Sequence, residues 1–220
     1  MTKETNTTLQ SILDAKKDDF NSKAPEDIKT IYNAGLKAVE ESGVVKKAKH
    51  VGEQAPDFKL KNALNKDVSL SEYLKKGPVV LTWYRGGWCP YCNLTLQRLQ
   101  QELTHFKAEG ANLLALTPEL PDNSINTTEK NELKFEVLSD IGNEVGKTYG
   151  IIYKLTDDVA KHYQKSFDLH GFNGNKSDEL PLAATYVINQ NGKITYEFLE
   201  VDYRKRAEPA DIITALKALK

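Results

Sequence analysis

Cysteine is nearly absent from this chain, whose 220 residues include only two. Both lie in a single Cys-x-x-Cys motif that runs from Cys89 through Pro90 and Tyr91 to Cys92. A lone motif of this kind indicates redox or metal chemistry rather than a structural disulfide. The plainer alternative is that the two cysteines are ordinary small core residues.

Metal ligands are scarce as well. A structural zinc site needs about four ligands, and the chain has no second Cys-x-x-Cys. Its four histidines show no ligand-like spacing. No Gly-x-Gly-x-x-Gly follows a predicted strand, which argues against a dinucleotide-binding fold. We therefore expect no metal and no cofactor, and we assign the cysteine pair to redox chemistry.

Long apolar runs and a strong net charge are also missing. No stretch approaches the ~20 apolar residues of a membrane-spanning helix. A formal net charge of −1 gives no electrostatic reason to bind nucleic acid or an anionic membrane. The first residues are polar and lack the apolar segment of a signal peptide. We expect a cytoplasmic protein with no nucleic-acid or membrane partner.

The segment around the cysteines has a strong local pattern. Residues 79–83 hold four apolar side chains in five positions, which predicts a strand buried on both faces, as in a parallel sheet. Gly86 and Gly87 end this strand. The residues that follow step by four and three along one face of a predicted helix, namely Cys92, Leu96, Leu99, Leu103 and Phe106. Gly110 is placed to end that helix.

A cysteine at the start of a helix has distinctive chemistry. Free backbone N–H groups and the helix dipole favour an anion there, so we expect the thiol of Cys89 to be acidified. Arg85 adds positive charge near Cys89 if its side chain points in the same direction as the Cys89 thiol. Pro90 fits the first turn because its missing N–H costs nothing there. Cys92 lies one turn further in, on the apolar face, and should be less exposed than Cys89.

The rest of the chain predicts an α/β protein with an N-terminal extension. Residues 1–50 read as a two-helix extension, which either packs on the core domain, as we favour, or forms a homodimer contact. Residues 51–220 read as one domain. It includes a second parallel strand at 113–116 and a late hairpin at 184–189 and 193–199, joined through Asn191-Gly192. A terminal helix begins near Pro209.

Two further groups of residues lie near the predicted site or at the periphery. Glu119 follows the second parallel strand, at the edge where α/β proteins bind ligands. We favour a solvated loop position for it over contact with the cysteines. The peripheral segment 155–174 carries an aromatic and imidazole cluster that either lines a substrate mouth or, as is commoner, packs under a loop. Its members are His162, Tyr163, Phe167 and His170.

These motifs together carry a family resemblance. Trp88-Cys89-Pro90-Tyr91-Cys92 after an apolar strand resembles the active site of the thioredoxin superfamily. The surrounding segments resemble peroxiredoxins of the alkyl hydroperoxide reductase C/thiol-specific antioxidant family, in the subgroup that carries a Cys-x-x-Cys. The matching segments are VGEQAPDF (51–58), VSLSEY (68–73), FEVLSD (135–140) with YGI (149–151), and TYVINQNGKI (185–194). The resemblance implies a thioredoxin-like sandwich, a mixed central sheet flanked by helices.

The departures from the peroxiredoxin pattern bear on the chemistry. In that pattern Cys92 takes the peroxidatic position, and Cys89 replaces the Thr or Ser three residues earlier. The family's assisting Arg would fall at Ala183, close to where thioredoxins have a cis-Pro. Three arginines remain as substitutes, and the sequence does not choose among Arg85, Arg204 and Arg206.

Two activities follow from these observations. The first is a peroxiredoxin-like reduction of hydroperoxides through a Cys89/Cys92 dithiol–disulfide cycle, reset by a thioredoxin- or glutathione-type donor. The second is thiol–disulfide exchange on protein or small-molecule disulfides, with Cys89 attacking and Cys92 resolving. Helix-end electrostatics favour Cys89 as the attacking residue, whereas the resemblance favours Cys92. Trp88, Tyr91 and Arg85 are the predicted supporting residues, with Pro90 in the first turn.

Overall fold

The protein is built around one seven-stranded mixed sheet, seen in a computed structural model that describes residues 7–220. The strands are β1 (Lys59–Asn62), β2 (Asp67–Ser69), β3 (Val79–Trp83), β4 (Asn112–Thr117), β5 (Glu136–Ser139), β6 (Ile152–Lys154), β7 (Glu179–Pro181), β8 (Thr185–Ile188) and β9 (Ile194–Phe198). The order across the large sheet is β2-β1-β5-β4-β3-β8-β9, and β6 pairs with β7 in a separate small ribbon.

Eleven α-helices of the described residues surround the sheet. They are α1 (Leu9–Lys23), α2 (Glu26–Glu41), α3 (Val44–Lys47), α4 (Leu70–Leu74), α5 (Pro90–Gln101), α6 (Leu103–Ala108), α7 (Pro121–Lys130), α8 (Glu144–Thr148), α9 (Asp157–Phe167), α10 (Leu169–Asn173) and α11 (Pro209–Lys217). A short 3₁₀ turn spans Ile141–Asn143. None of the helices within residues 7–220 combines the length and the apolar character needed to cross a bilayer.

Strand β3 is an interior strand of the sheet, between β4 and β8, and it positions the cysteines. It pairs in parallel with β4, with Leu81 opposite Leu114, and antiparallel with β8 on its other side. All five of its residues are buried, as predicted for a strand covered on both faces. Because side chains alternate along a strand, Leu81 joins the core on one face and Val80 the core on the other.

The predicted mixed sheet with flanking helices is confirmed, including the parallel strand β4 and the antiparallel hairpin of β8 and β9. Two details differ. The long predicted helix after Cys89 is two helices, because the backbone at Glu102 (φ −90°, ψ 0°) interrupts it between α5 and α6. The ribbon of β6 and β7 was not predicted, since strands this short carry little periodicity.

The N-terminal helices pack on the rest of the protein. Leu9 and Leu13 of α1 are fully buried in the same cluster as the two cysteines, against α5. Helix α2 packs against α9 and buries Val39. The division of the chain at residue 50 into an extension and a domain stays a prediction, but both helices bury their apolar residues within this chain.

The start of α1 is tied to the start of α11 by a carboxylate. Glu208 accepts hydrogen bonds from the backbone N–H groups of Leu9 (3.1 Å) and Gln10 (2.6 Å). These N–H groups have no partner within their own helix, and a negative charge beside them also suits the helix dipole. Glu208 therefore caps a helix that is 198 residues away along the chain.

Replacing Glu208 by Ala should weaken the docking of α1. We expect a loss of about 1 kcal/mol, as for removal of a helix cap, together with faster hydrogen exchange of the Leu9 and Gln10 amides. The matched control is Asp211→Ala, which removes an exposed carboxylate from the first turn of the same α11. Equal exchange rates at Leu9 and Gln10 in Glu208→Ala and the unchanged protein would contradict this role.

Candidate active site

The two cysteines lie where strand β3 gives way to helix α5. The chain leaves β3 at Trp83, turns through Gly86 and Gly87, and enters the helix at Cys89, which has extended backbone angles and acts as the N-cap residue. Gly86 is required by a close approach, because a Cβ there would lie 2.2 Å from the indole nitrogen of Trp88. This turn places Cys89 at the helix start and Cys92 one turn inside, as predicted.

Cys92 is fully buried and has an arginine beside its sulfur. The Nη2 group of Arg206 donates a hydrogen bond to Cys92 Sγ at 3.4 Å. Burial by itself raises the pKa of the Cys92 thiol, but the hydrogen bond from the Cys89 thiol and the charges of Arg206 and Arg85 outweigh it. The pKa of Cys92 is therefore held well below its usual range. Cys92 is the thiolate of the pair.

The expectation that Cys89 is the exposed, acidic thiol is wrong. Cys89 is only 1% exposed, and Cys92 is 0% exposed. Burial, followed by the hydrogen bond to Cys92 and the negative charge of that sulfur, raises the pKa of Cys89 well above its ordinary value. The effect of the helix end on Cys89 is outweighed because Cys92, which accepts a hydrogen bond from the guanidinium of Arg206, ionises before Cys89 does.

Arg206 is the arginine that contacts the Cys92 sulfur. The position that the peroxiredoxin pattern gives to an assisting Arg is occupied by Ala183, a buried residue just before β8. Arg204 is engaged elsewhere, with Asp202 accepting from its Nε at 2.7 Å and from its Nη2 at 2.9 Å. The basic segment before α11 thus supplies the charge, from a part of the chain 114 residues beyond Cys92.

Arg85 is the second buried guanidinium near the sulfurs. Its Nη2 donates to the hydroxyl of Tyr163 at 2.6 Å. Its charge lies over three aromatic rings, at 4.0 Å from the ring centre of Tyr203, 5.0 Å from Trp88 and 5.3 Å from Tyr163. Such contacts stabilise a cation away from water. Arg85 also lowers the pKa of both cysteines by its charge, as its position in the sequence suggested.

Aromatic side chains cover this arrangement. Trp88 stacks on Phe167 with ring centres 4.2 Å apart and meets Tyr163 at 5.2 Å. Tyr91 packs edge-on against Tyr203 at 5.7 Å, whereas Pro90 is exposed. All the predicted supporting residues therefore lie at the motif, with Trp88, Tyr91 and Arg85 in contact with other aromatic residues of the site.

Only two of the four residues in the predicted cluster on segment 155–174 lie at the cysteine site. Tyr163 and Phe167 belong to the site through Arg85 and Trp88. His162 packs edge-on against Tyr32, and His170 bonds to Asp178 at 2.8 Å.

Tyr203 was not singled out as a site residue. Its one sequence signal was its position in the basic segment before the last helix.

Glu119 is buried, so the expectation that it is a solvated loop residue is wrong. It is 0% exposed, and its Oε1 accepts a hydrogen bond from the backbone N–H of Gly87 at 2.8 Å. Burial raises the pKa of Glu119 to about 7, and the charge of Cys92 acts in the same direction. The carboxyl group of Glu119 holds the turn that precedes Cys89. Glu119 itself follows β4, at the edge of the sheet where the sequence predicted ligand binding.

Comparison with known proteins shows the family to which this chain belongs. The family model described as AhpC/TSA family matches residues 51–197. The thiol-disulfide oxidoreductase ResA of Bacillus thuringiensis subsp. konkukian is 30% identical over 148 residues, which cover 67% of this chain and 68% of that protein. A putative peroxiredoxin bcp of Buchnera aphidicola subsp. Schizaphis graminum is 31% identical over 100 residues, covering 46% of this chain and 63% of the relative.

Solved structures show the same fold at lower identity. Peroxidoxin BcpB from Mycobacterium tuberculosis superposes with a TM-score of 0.61 at 18% identity, covering 77% of this chain and 97% of that one. Reduced 2-Cys peroxiredoxin of Plasmodium vivax has a TM-score of 0.61 at 20% identity, covering 78% and 82%. The predicted thioredoxin-like sandwich is confirmed.

A thioredoxin-like fold with a dithiol at the start of helix α5, in which the pKa of one thiol is lowered, defines a thiol-dependent oxidoreductase. Within that class, the chain belongs to the AhpC/TSA family. Among residues 7–220 no group of three or more histidine, cysteine, aspartate or glutamate side chains is arranged to hold a metal ion.

Removing the Arg206 charge should raise the pKa of Cys92. In Arg206→Met the thiolate loses a hydrogen-bond donor and a nearby positive charge, so a smaller fraction of Cys92 is ionised at neutral pH. The ultraviolet absorbance of the thiolate, followed against pH, measures this change. Arg204→Met is the control, because Arg204 bonds to Asp202 instead. Arg206→Lys keeps the charge, so its Cys92 pKa should lie between those of the unchanged protein and Arg206→Met. Identical titrations for Arg206→Met and the unchanged protein would disprove the contact.

Glu119 should make the protein less stable as pH rises. Its pKa is raised from 4.5 to about 7 in the folded state, so the folded protein holds a proton that the unfolded chain has lost between these values. Stability therefore falls from about pH 5 to about pH 7, by roughly 3 kcal/mol for this group. The difference in unfolding free energy between the unchanged protein and Glu119→Gln, measured in urea at several pH values, isolates this contribution. If the difference in unfolding free energy between the two proteins does not change with pH, the raised pKa of Glu119 is refuted.

Proposed function

We propose that this protein is a peroxiredoxin-like thiol peroxidase in which Cys92 attacks the hydroperoxide and Cys89 resolves the product. The observation that carries the proposal is the hydrogen bond from Arg206 to the Cys92 sulfur, 3.4 Å long and fully buried. It gives Cys92 a negative charge in the position that the family uses for attack. It also supplies the guanidinium that is missing at Ala183.

The reaction has three steps. The Cys92 thiolate attacks one peroxide oxygen, so an S–O bond forms as the O–O bond breaks, and the leaving oxygen takes a proton to become water or an alcohol. The Cys89 thiol then attacks the sulfenic acid, which forms the disulfide and releases water. One dithiol donor, or two molecules of a monothiol donor, finally reduces the disulfide to two thiols and is itself oxidised to a disulfide.

The neighbours of the two sulfurs fit these roles. Cys89 stands one helical turn from Cys92 and donates a hydrogen bond to it, so the resolving thiol is already in contact with the attacking sulfur. The raised pKa of Cys89 keeps it protonated until Cys92 has been oxidised. No second subunit is needed for the disulfide, since both thiols belong to one helix.

The reducing partner and the compartment belong to this proposal. A thioredoxin- or glutathione-type thiol is the class of donor that the resolved disulfide requires. A cycle that must return to two free thiols favours a reducing compartment, so we place the reaction in the cytoplasm.

A disulfide oxidoreductase is the second candidate. It is favoured by the 30% identity to ResA, a thiol-disulfide oxidoreductase, over 148 residues. In that activity the residue that attacks a disulfide must meet a bulky substrate, and Cys89 at the helix end is the expected attacker. The burial and raised pKa of Cys89 weigh against it.

Separate serine variants distinguish the two activities. Cys89→Ser keeps a hydroxyl that can donate to Cys92, so we expect fast reaction with hydrogen peroxide that stops at a sulfenic acid on Cys92. Cys92→Ser should lose the fast reaction. Trp88 fluorescence follows the rate, and intact mass distinguishes one added oxygen from the loss of two hydrogens that marks the disulfide.

The reduced, unchanged protein provides the reference for this test. Oxidation orders of magnitude faster than that of a free cysteine thiolate supports the peroxidase. A rate no better than the free thiolate would leave disulfide exchange as the activity. If Cys92→Ser stays fast while Cys89→Ser is slow, then Cys89 is the attacking residue and the assignment is reversed.

A further inference from the structure

The segment just before helix α11 contacts two distant parts of the protein through residues that are almost adjacent. Arg206 donates a hydrogen bond to the Cys92 sulfur at 3.4 Å. Two residues later, Glu208 accepts hydrogen bonds from the backbone N–H groups of Leu9 and Gln10 at the start of α1. The two contacts are joined by a stretch of backbone that spans at most about 7 Å. One contact therefore cannot shift far without disturbing the other.

Helix α1 is held against both the cysteine helix and this segment. Leu9 and Leu13 are fully buried in the cluster that contains both cysteines, and α1 packs against α5. One turn after Leu13, the charge of Lys17 acts on Asp202, which lies four residues before Arg206. The docked position of α1 thus bears on the segment that carries Arg206 at two points, Glu208 and Asp202.

Arg206 depends on the Cys92 sulfur for a counter-charge. Its side chain is buried, and within residues 7–220 its other hydrogen bonds go to the backbone carbonyls of Tyr203 and Lys205. A buried charge that loses its partner is strongly unfavourable. The position of Arg206, and with it that of Glu208, should therefore depend on whether Cys92 carries a negative charge.

We propose that Glu208 is a positioning residue that couples helix α1 to the cysteine pair: docked α1 holds Arg206 on the Cys92 sulfur, and loss of the charge on that sulfur loosens α1. Such a coupling is reciprocal, because the free energy by which docked α1 favours the thiolate equals that by which the thiolate favours docked α1. The inference goes beyond the proposed peroxidase and needs only that Cys89 and Cys92 can form a disulfide.

The first direction of the coupling is tested on the titration of Cys92. In Glu208→Ala the tie between α1 and Arg206 is lost, so the pKa of Cys92 should rise, by roughly one pH unit for a tenfold coupling. Loss of a negative charge by itself would lower that pKa. The ultraviolet absorbance of the thiolate against pH therefore separates the positioning role from simple electrostatics by the direction of the change. An unchanged or lowered pKa in Glu208→Ala would overturn the proposal.

Three further variants control this test. Glu208→Gln removes the charge but keeps an acceptor for α1, so the pKa of Cys92 should not rise. Leu13→Ala loosens α1 without a change of charge, and the pKa should rise as in Glu208→Ala. Leu70→Ala removes an equally buried leucine from the other core cluster and should leave the titration unchanged. Equal rises in Leu13→Ala and Leu70→Ala would assign the effect to general destabilisation and overturn the proposal.

Other ionisable groups also act on Cys92, by charge or by a hydrogen bond, and they remain in all these variants. On the elements around the sulfur they are Cys89, Tyr84, Arg85, Glu119, Tyr153 and Arg206. Each variant is compared with the unchanged protein, so the contributions of the groups that keep their positions cancel. The difference between the two titrations then reports on the contact from Arg206.

The reverse direction is tested on the unchanged protein, so it does not depend on the folding of a variant. Diamide converts the reduced pair to the disulfide: the two sulfurs give up two electrons as the S–S bond forms. Diamide takes these electrons, one proton from Cys89 and one from solvent, and becomes a hydrazine. Hydrogen exchange of the Leu9 and Gln10 amides should then be roughly tenfold faster than in the reduced protein at the same pH.

A second pair of amides held by a carboxylate provides the matched control. Asp140 accepts from the backbone N–H groups of Val145 and Gly146 at 2.9 and 2.8 Å, and these amides should exchange equally in both redox states. Equal rates at the amides of α1 in the oxidised and reduced protein would overturn the coupling. A difference between the redox states that persists in Glu208→Ala would overturn the role of Glu208.

A double variant tests whether Glu208 acts through Arg206. In the Arg206→Met background, Glu208→Ala should no longer raise the pKa of Cys92, because the contact that it supports is already gone. A rise equal to that in the unchanged background would overturn this route. These results are independent of the peroxidase: a reaction with hydrogen peroxide no faster than that of a free thiolate would reject that function, while the titration and the exchange rates would still decide the coupling.

Discussion

The hydrogen bond from Arg206 to Cys92 is the interaction on which the chemistry of this protein depends. A thiolate buried away from water is unfavourable unless a positive charge and hydrogen-bond donors replace the water. Arg206 and the thiol of Cys89 supply both, which decides which sulfur is charged. In the function that we propose, the order of events follows from this choice: the ionised sulfur attacks first, and its protonated neighbour then resolves the product. The helix start, which on local grounds favours Cys89, is outweighed by a contact from the far end of the chain.

Two buried guanidiniums make the surroundings of the site unusual. Arg206 has a thiolate as its counter-charge, whereas Arg85 is held by aromatic rings and one tyrosine hydroxyl. The rings explain why tyrosine and tryptophan gather around Cys-x-x-Cys, because a cation over ring faces keeps part of the stabilisation that water would give. The N-terminal helices take part in this arrangement. Helix α1 covers the cysteine helix with two leucines, and Tyr32 of α2 packs edge-on against Tyr163, the tyrosine that accepts from Arg85.

Two positions of the site depart from the peroxiredoxin pattern, although the fold and the family are kept. The AhpC/TSA match covers residues 51–197, yet Cys89 stands where the peroxiredoxin pattern has Thr or Ser, and Ala183 stands where it has Arg. Both exchanges have a physical replacement in the structure. A thiol can donate to a thiolate as a hydroxyl does, and a guanidinium needs to reach the sulfur but need not come from a fixed strand. Arg206 lies outside the matched residues, which is why the family pattern could not indicate it.

The sequence by itself determined the parts of this protein that depend on neighbours along the chain. Strand β3, the glycine turn, the cysteine pair at the start of α5 and the parallel partner β4 all follow from local periodicity and turn residues, and so does the thioredoxin-like sheet when the family motifs are added. Tertiary structure alone decided the lowered pKa of Cys92, the burial of Glu119 and the aromatic surroundings of Arg85. The physical reason is that a pKa depends on every charge and dipole within a few ångströms, and Arg206 comes within that distance of Cys92 from 114 positions away.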